Sequence, residues 1–285
     1  METADNLTEP QTSVQRLLNE ANLARLDAEV LLAHVLRRPR SALIAHAEQC
    51  IERQAAARYR TLVTRRAAGE PLAYLVGERE FWSLPLIVSE AVLIPRPESE
   101  LVVERALALL PEVRTHAAGM RRVADLGTGC GAIALALASA RSDWKLLATD
   151  LSASALQVAR ENARRLQLTQ IEFVEGDWFA PLAARRFDAI VSNPPYVAAG
   201  DASLQALRYE PAAALSPGPS GMEALWHLIA QAPNHLAAGA WLVLEHGADQ
   251  ALEVAAALVA AGYARVRCHR DLAGRDRVTE AQWPH

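Results

Sequence analysis

The sequence predicts an α/β fold, a doubly wound parallel sheet covered by helices on both faces, with a small helical domain before it. Three observations carry this. Apolar residues recur at helical spacing from Ser13 to about Ala68, extended and helical runs alternate from Arg122 onward, and a glycine-rich turn joins the first of those strands to its helix. A chain of 285 residues that is 51% hydrophobic can bury a full core and divide into one ordinary domain plus a smaller one.

In order along the chain, Val14, Leu17, Leu18, Leu26, Val30, Leu31, Val35 and Leu36 mark apolar helical stripes. Breakers at Gly69, Pro71 and Gly77 surround the runs Leu72–Val76 and Phe81–Trp82, which read as short extended pieces of a hairpin-like linker. The expected division is a helical domain over 1–70, a hairpin linker over 71–92 and a second domain over 93–285. After Pro95 and Pro97 a helix starts near Glu98, where Glu98 and Glu100 suit its positive end. Extended runs then follow at Arg122–Leu126, Lys145–Thr149, Ile171–Val174 and Phe187–Val191, with helices at Ala132–Ala140 and Ala153–Leu166. A helix from Met222 to Leu236, a strand from Trp241 to Leu244, a helix from Gln250 to Ala261 and an extended stretch from Ala264 to Arg270 complete the pattern.

Composition narrows the function classes. A formal net charge of −4 gives no broad cationic surface for a polyphosphate backbone, so nucleic acid is disfavoured as the main partner. Three cysteines, far apart and without CxxC spacing, fit a reduced compartment. Met1 to Thr12 has no cationic stretch followed by an apolar run, and no apolar run approaches the roughly 18 residues of a membrane span, so a soluble cytoplasmic protein is expected.

The segment Asp125-Leu126-Gly127-Thr128-Gly129-Cys130-Gly131-Ala132 is a strand end, a glycine turn and a helix start. Such a turn admits a ligand close to the backbone and leaves helix N–H groups free for it. Asp150, at the end of the next strand, stands where a carboxylate can accept both hydroxyls of an adenosine ribose. Gly127, Gly129 and Ala132 also satisfy the dinucleotide fingerprint. Asp125 argues against it, because a carboxylate there would repel a pyrophosphate but suits the ammonium end of a methionine, which favours S-adenosylmethionine. Asp177 is placed to accept from an adenine amino group, and Trp178 to stack on the ring, although core packing is an alternative for the indole.

The fourth strand runs into Asn193-Pro194-Pro195-Tyr196, outside the carboxyl ends of the sheet, where a second substrate must react. An amide nitrogen is a poor nucleophile because its lone pair is delocalised. Two converging acceptors, the Asn193 side-chain oxygen and the Pro194 carbonyl, can hold its N–H groups, while Pro195 stiffens the turn and Tyr196 stacks on the flat amide. Attack on a sulfonium methyl is then helped by proximity and oriented dipoles, and no general base is nominated. A merely rigid turn is the alternative.

Together these residues resemble the HemK/PrmC-type protein-(glutamine-N5) methyltransferases, which modify the Gly-Gly-Gln loop of class I peptide chain release factors. The resemblance extends to Gly69–Tyr74, Gly77–Trp82, Leu93–Glu98, Glu210-Pro211, Glu245-His246-Gly247 and Asp271–Arg277. It implies a class I S-adenosylmethionine-dependent methyltransferase domain with a Rossmann-like sheet, S-adenosylhomocysteine as product, and release factor binding by the N-terminal helices. By position it implies cofactor contacts at Gly127 to Gly131, Asp150, Trp178 and Asn193, and glutamine contacts at Asn193 to Tyr196. Asn-Pro-Pro-Tyr is shared with adenine-N6 methyltransferases, so an enzyme acting on nucleic acid is the alternative. Glu98-Ser99 departs from the family's more frequent Asp-Thr, and Cys130 fills a position often held by Ser or Thr.

His246 beside Glu245 reads as a strand-end cap rather than an acid–base pair. Arg96, Arg275 and Arg277 read as ion-pairing or loop-fixing groups. His269 beside Cys268 has no further ligand at metal spacing, so no metal is expected.

Overall fold

Helical spacing from Val14 onward produces four helices: α1 (Val14–Glu20), α2 (Arg25–Leu36), α3 (Arg40–Ala45) and α4 (Arg53–Ala67). The structure is a computed structural model that describes residues 12–110 and 120–285, so the reading of Met1 to Thr12 lies outside it except at Thr12. Ser13 caps α1 by accepting from the Arg16 N–H, and Leu17, Leu31, Leu32 and Tyr59 bury their side chains in one cluster. Two short strands, β1 (Thr12–Ser13) and β2 (Cys50–Ile51), pair antiparallel beside the helices.

Leu72–Val76, expected from its sequence to be extended, instead forms a single-turn helix, α5. Pro71 presets the backbone at its start, and Gly77 caps it in the left-handed region at φ 78°. Five apolar residues do not distinguish strand from helix by periodicity; these two flanking residues do. The chain divides into two compact units after Gly77.

The second unit opens with a hairpin, β3 (Glu78–Phe81) and β4 (Leu84–Ile87), turned by Trp82 and Ser83, both at positive φ. A 3₁₀ turn over Pro97–Ser99 leads into α6 (Glu100–Leu109). The alternation then runs β5 (Arg122–Leu126), α7 (Ala132–Ala140), β6 (Lys145–Asp150), α8 (Ala153–Arg165), β7 (Ile171–Glu175) and β8 (Phe187–Ser192). After the short α9 (Ser203–Ala206) come α10 (Glu223–Gln231), β9 (Leu236–Glu245), α11 (Ala251–Ala260), β10 (Ala264–Arg270) and β11 (Asp276–Gln282).

These strands form one sheet in the order β10-β11-β9-β8-β5-β6-β7, parallel except for β11. The order reverses direction between β5 and β8, so their carboxyl ends flank a crevice. Here the structure departs from the sequence reading at one helix and one strand. The helix expected to reach Leu236 stops at Gln231, because Pro233 interrupts it, and Leu236 already belongs to a strand that bends at Gly239, where φ is 77°. The strand β11 escaped the sequence reading, since its charged residues mask a run buried from Val278 to Ala281.

One buried side chain ties the hairpin to the sheet's first turn. Asn162 on α8 accepts from the Ile87 N–H at 2.7 Å and donates to the carbonyls of Ile87 and Cys130 at 3.0 Å each.

Candidate active site

At the crevice the chain leaves β5 through a turn in which Gly127, Gly129 and Gly131 all have positive φ. The N–H groups of Gly127 and Thr128 donate to the Thr149 carbonyl at 2.9 Å, which holds the turn against the end of β6. A Cβ on Gly127 would stand 3.2 Å from the Trp178 ring, so the close approach of the indole requires glycine there.

Beside this turn lies a cavity of about 310 Å³, lined by Gly127, Gly129, Asp150, Asp177, Trp178, Asn193 and Pro195 among the residues singled out from sequence. Its other walls come from the segments Ala91–Leu93 and Leu151–Ser152, and from Pro211, Ala213 and Ala214. The lining is largely apolar, and among the described residues it contains no lysine or arginine. A pyrophosphate would find no cation there, whereas a compact cationic nucleoside would find two carboxylates. Asp150 accepts from the Gly129 N–H at 2.8 Å and the Ser152 N–H at 2.9 Å. Burial holds its carboxyl above the usual range, and these two donors oppose that shift. Each oxygen retains a lone pair for a further donor.

Asp125, Thr128, Cys130 and Gly131 do not line the cavity. Asp125 is buried behind the turn, where one oxygen accepts from Thr128 Oγ1 at 2.6 Å and the Ala134 N–H at 3.1 Å. Its other oxygen is buried with no partner among the described residues. Burial pushes this carboxyl up to about 7, and the nearby Asp150 charge adds to the shift. Burial likewise pushes the Cys130 thiol up to about 12.

A second, smaller pocket of about 70 Å³ adjoins the first, lined by Arg96, Pro194, Tyr196, Val197, Leu207 and Leu215. Leu93, Asn193 and Ala214 line both. Asn193 therefore stands on the wall between a nucleoside-sized cavity and a pocket of side-chain size. Its Nδ2 donates to Ser99 Oγ at 3.0 Å, while its Oδ1 has no partner among the described residues. The Tyr196 hydroxyl donates to Glu245 Oε1 at 3.1 Å.

Sequence reasoning missed the roof of the cavity and what fixes it. Glu210, buried, forms an ion pair with Arg96 and accepts from the Ile94 N–H at 3.0 Å, which joins the Ile-Pro-Arg-Pro segment to the Pro211–Ala214 stretch. Charged residues flanking prolines in both segments were the available signal. Arg275 pairs with Glu98 and Asp271, and Arg277 donates to the His246 carbonyl, so all three arginines fix loops as expected. The buried His246 ring bonds the Gly247 carbonyl and Thr279 Oγ1 at 2.8 Å each, and burial lowers its pKa, which suits a structural cap. Among the described residues no group of three or more His, Cys, Asp or Glu is arranged to hold a metal ion.

Residues 103–258 match the family model described as Methyltransferase small domain, and residues 11–77 match the PrmC N-terminal domain. A Xylella fastidiosa (strain Temecula1) protein named Release factor glutamine methyltransferase is 48% identical over 264 residues, which cover 92% of this chain and 94% of that one. The Escherichia coli (strain K12) protein of the same name is 46% identical over 264 residues, covering 92% and 93%. Among solved structures, a methyltransferase from Pyrococcus furiosus superposes with a TM-score of 0.53 at 19% identity, covering 78% of this chain and 98% of that chain, a likeness of fold.

Proposed function

The chain belongs to the release factor glutamine methyltransferase family, and on that premise we propose how its two adjoining pockets divide the reaction. The enzyme methylates the side-chain amide nitrogen of a glutamine in a peptide chain release factor, in our reading the glutamine of the Gly-Gly-Gln motif. S-adenosylmethionine supplies the sulfonium methyl group. Its fit rests on the lining, which holds no lysine or arginine among the described residues, on the carboxylates Asp150 and Asp177, and on the apolar faces of Trp178 and Pro195.

The observation that carries this reading is the position of Asn193 on the wall shared by both pockets. From there its Oδ1 and the Pro194 carbonyl accept the two N–H groups of an amide placed in the smaller pocket. That contact orients the nitrogen toward the larger cavity and favours its pyramidal form. The Tyr196 ring supports the flat amide. Thr128, Cys130 and Gly131 act through the shape of the turn, and Asp125 through the anchoring of the start of α7. Residues 12–77 supply a binding surface for the release factor, and the reaction belongs to the cytoplasm. Substitution of the exposed Ile44 by Glu tests that surface: it raises KM for the release factor and leaves S-adenosylmethionine affinity alone. An unchanged KM removes Ile44 from it.

The reading is tested by transfer from labelled S-adenosylmethionine to an unmodified release factor, to the same factor with alanine at the Gly-Gly-Gln glutamine, and to DNA and RNA. Label on the first alone is expected. Equal label on both factors rejects the target residue, and label confined to nucleic acid rejects the substrate class.

A further inference from the structure

The end of β8 holds a side chain with no role in the chemistry so far. Ser192, the last residue of that strand, is fully buried and stands directly before Asn193. Its Oγ donates to the Leu126 carbonyl at 2.6 Å, and Leu126, also fully buried, is the last residue of β5, directly before Gly127. One hydrogen bond therefore joins the residue that precedes the tetrapeptide to the residue that precedes the glycine turn.

The course of the strands explains why a side chain is needed there. β5 and β8 pair from Val123 with Ala189 to Asp125 with Val191, and there the ladder stops. Past that point each strand end belongs to a different neighbour. β5 continues against β6, pairing Leu126 with Thr149, and the turn that follows is fastened to the Thr149 carbonyl. β8 continues against β9, pairing Ser192 with Leu244. The crevice opens between the two ends, and a buried carbonyl facing it needs a donor. Ser192 supplies that donor from its side chain, and the short bond fixes how far apart the two ends stand.

That separation governs methyl transfer. Gly127 lines the larger cavity, Asn193 lines both pockets, and Ser192 lines neither. An in-line displacement needs the amide nitrogen, the methyl carbon and the sulfur collinear and close, and a misplacement of about 1 Å costs about 100-fold in rate. We propose that Ser192 is a positioning residue: its hydroxyl sets the distance between the glycine turn and the tetrapeptide, and so between the methyl donor and the amide that receives it. This rests on the function proposed above. No proton moves at Ser192. Because it touches neither reactant, its loss slows the transfer and leaves the binding of each reactant as it was.

The test compares the full-length enzyme with Ser192→Ala and Ser192→Thr, and with Tyr263→Phe as a control. Tyr263 lines neither pocket, and its buried hydroxyl donates to the Ile229 carbonyl at 3.1 Å, so the control removes a bond of the same kind elsewhere in the domain. The measurements are urea stability, the S-adenosylmethionine Kd by calorimetry, the release factor KM, and the rate of a single turnover with both reactants saturating. Ser192→Ala is expected to slow the single turnover by about 10- to 100-fold, with Kd and KM unchanged. Ser192→Thr keeps the hydroxyl and returns most of the rate. Tyr263→Phe lowers urea stability and leaves the turnover unchanged. An unchanged turnover in Ser192→Ala, a loss shared equally by Tyr263→Phe or by Ser192→Thr, or a loss that appears in Kd or KM instead of the rate overturns the proposal. If the unaltered enzyme transfers no methyl group to the factor, the function proposed above fails instead.

Discussion

Replacing Gly221 by alanine tests how the tetrapeptide is held from behind. Gly221 sits just before α10 at φ 79°, and a Cβ there would stand 2.5 Å from the Tyr196 carbonyl oxygen, 3.0 Å from the Ala198 nitrogen and 3.1 Å from Gln250 Nε2. Gln250 is the clamp at this point. Its Nε2 donates to the carbonyls of Tyr196 at 3.0 Å and Gly221 at 3.3 Å, and its Oε1 accepts from the Gly247 N–H at 2.8 Å. The left-handed backbone alone costs an alanine roughly 1–2 kcal/mol. Relief of the overlap adds about 1–3 kcal/mol, the usual cost of overpacking a tight interior. The total, about 2–5 kcal/mol, would be seen in urea unfolding. Part of the strain is relieved by moving the Tyr196 carbonyl, and a displacement near 1 Å at a reacting centre lowers turnover by about 100-fold. Gly200→Ala is the control, since Gly200 also has positive φ (94°) but no atom within 4 Å of its Cβ position. Equal stability and equal turnover in the two variants would refute the argument that Gly221 supports the tetrapeptide.

Three further outcomes are expected. Asp150→Ala removes the acceptor for the Gly129 and Ser152 N–H groups and should weaken S-adenosylmethionine binding by about 1.5–3 kcal/mol in calorimetry; an unchanged Kd would exclude Asp150 from the cofactor site. Asn162→Ala strands the Ile87 N–H and the carbonyls of Ile87 and Cys130, and should cost about 3 kcal/mol or more in denaturant unfolding, whereas a loss below about 1 kcal/mol would mean these groups find water. Burial raises the Asp125 carboxyl from its unfolded value of 3.8 to about 7, so between those values the folded chain holds a proton that the unfolded chain has released. Its contribution to stability is therefore complete below the unfolded value and is lost as pH rises through about 7, at up to roughly 1.4 kcal/mol per pH unit. Asp125→Asn should flatten that part of the stability profile, and an unaltered profile would show that Asp125 is already ionised in the fold.

The alternating half of the fold was legible because buried parallel strands and their crossover helices each carry a distinct local pattern. The ends of β5, α7 and β10 agree with the sequence reading to the residue. Local pattern failed where a short apolar run could take either form, as at Leu72–Val76, and where charges on a buried strand serve distant partners. Glu280 on β11 is such a case: it looks like a surface residue in sequence but is buried against Arg105 of α6 at 2.8 Å. The candidate site divides in the same way. Its glycine turn and tetrapeptide are contiguous and could be read directly. The roof, built from Ala91–Leu93 and Pro211–Ala214, and the contact of Ser99 with Asn193 join segments remote in sequence, and no local spacing encodes them.

The place of β11 in the sheet has a consequence for when the enzyme becomes competent. It is the last of the strands to be synthesised, yet it lies inside the sheet, between β9 and β10, and pairs Val278 with Glu245. Until it inserts, β9 keeps an open edge and β10 has no neighbour, so the nascent domain carries unsatisfied strand edges of the kind that recruit other chains. Assembly of the sheet thus waits for β11, which follows the strands on either side of it in the chain. The carboxylate that meets Tyr196 reaches its buried environment in that same step, so the tetrapeptide is braced only once the chain beyond β10 has folded back.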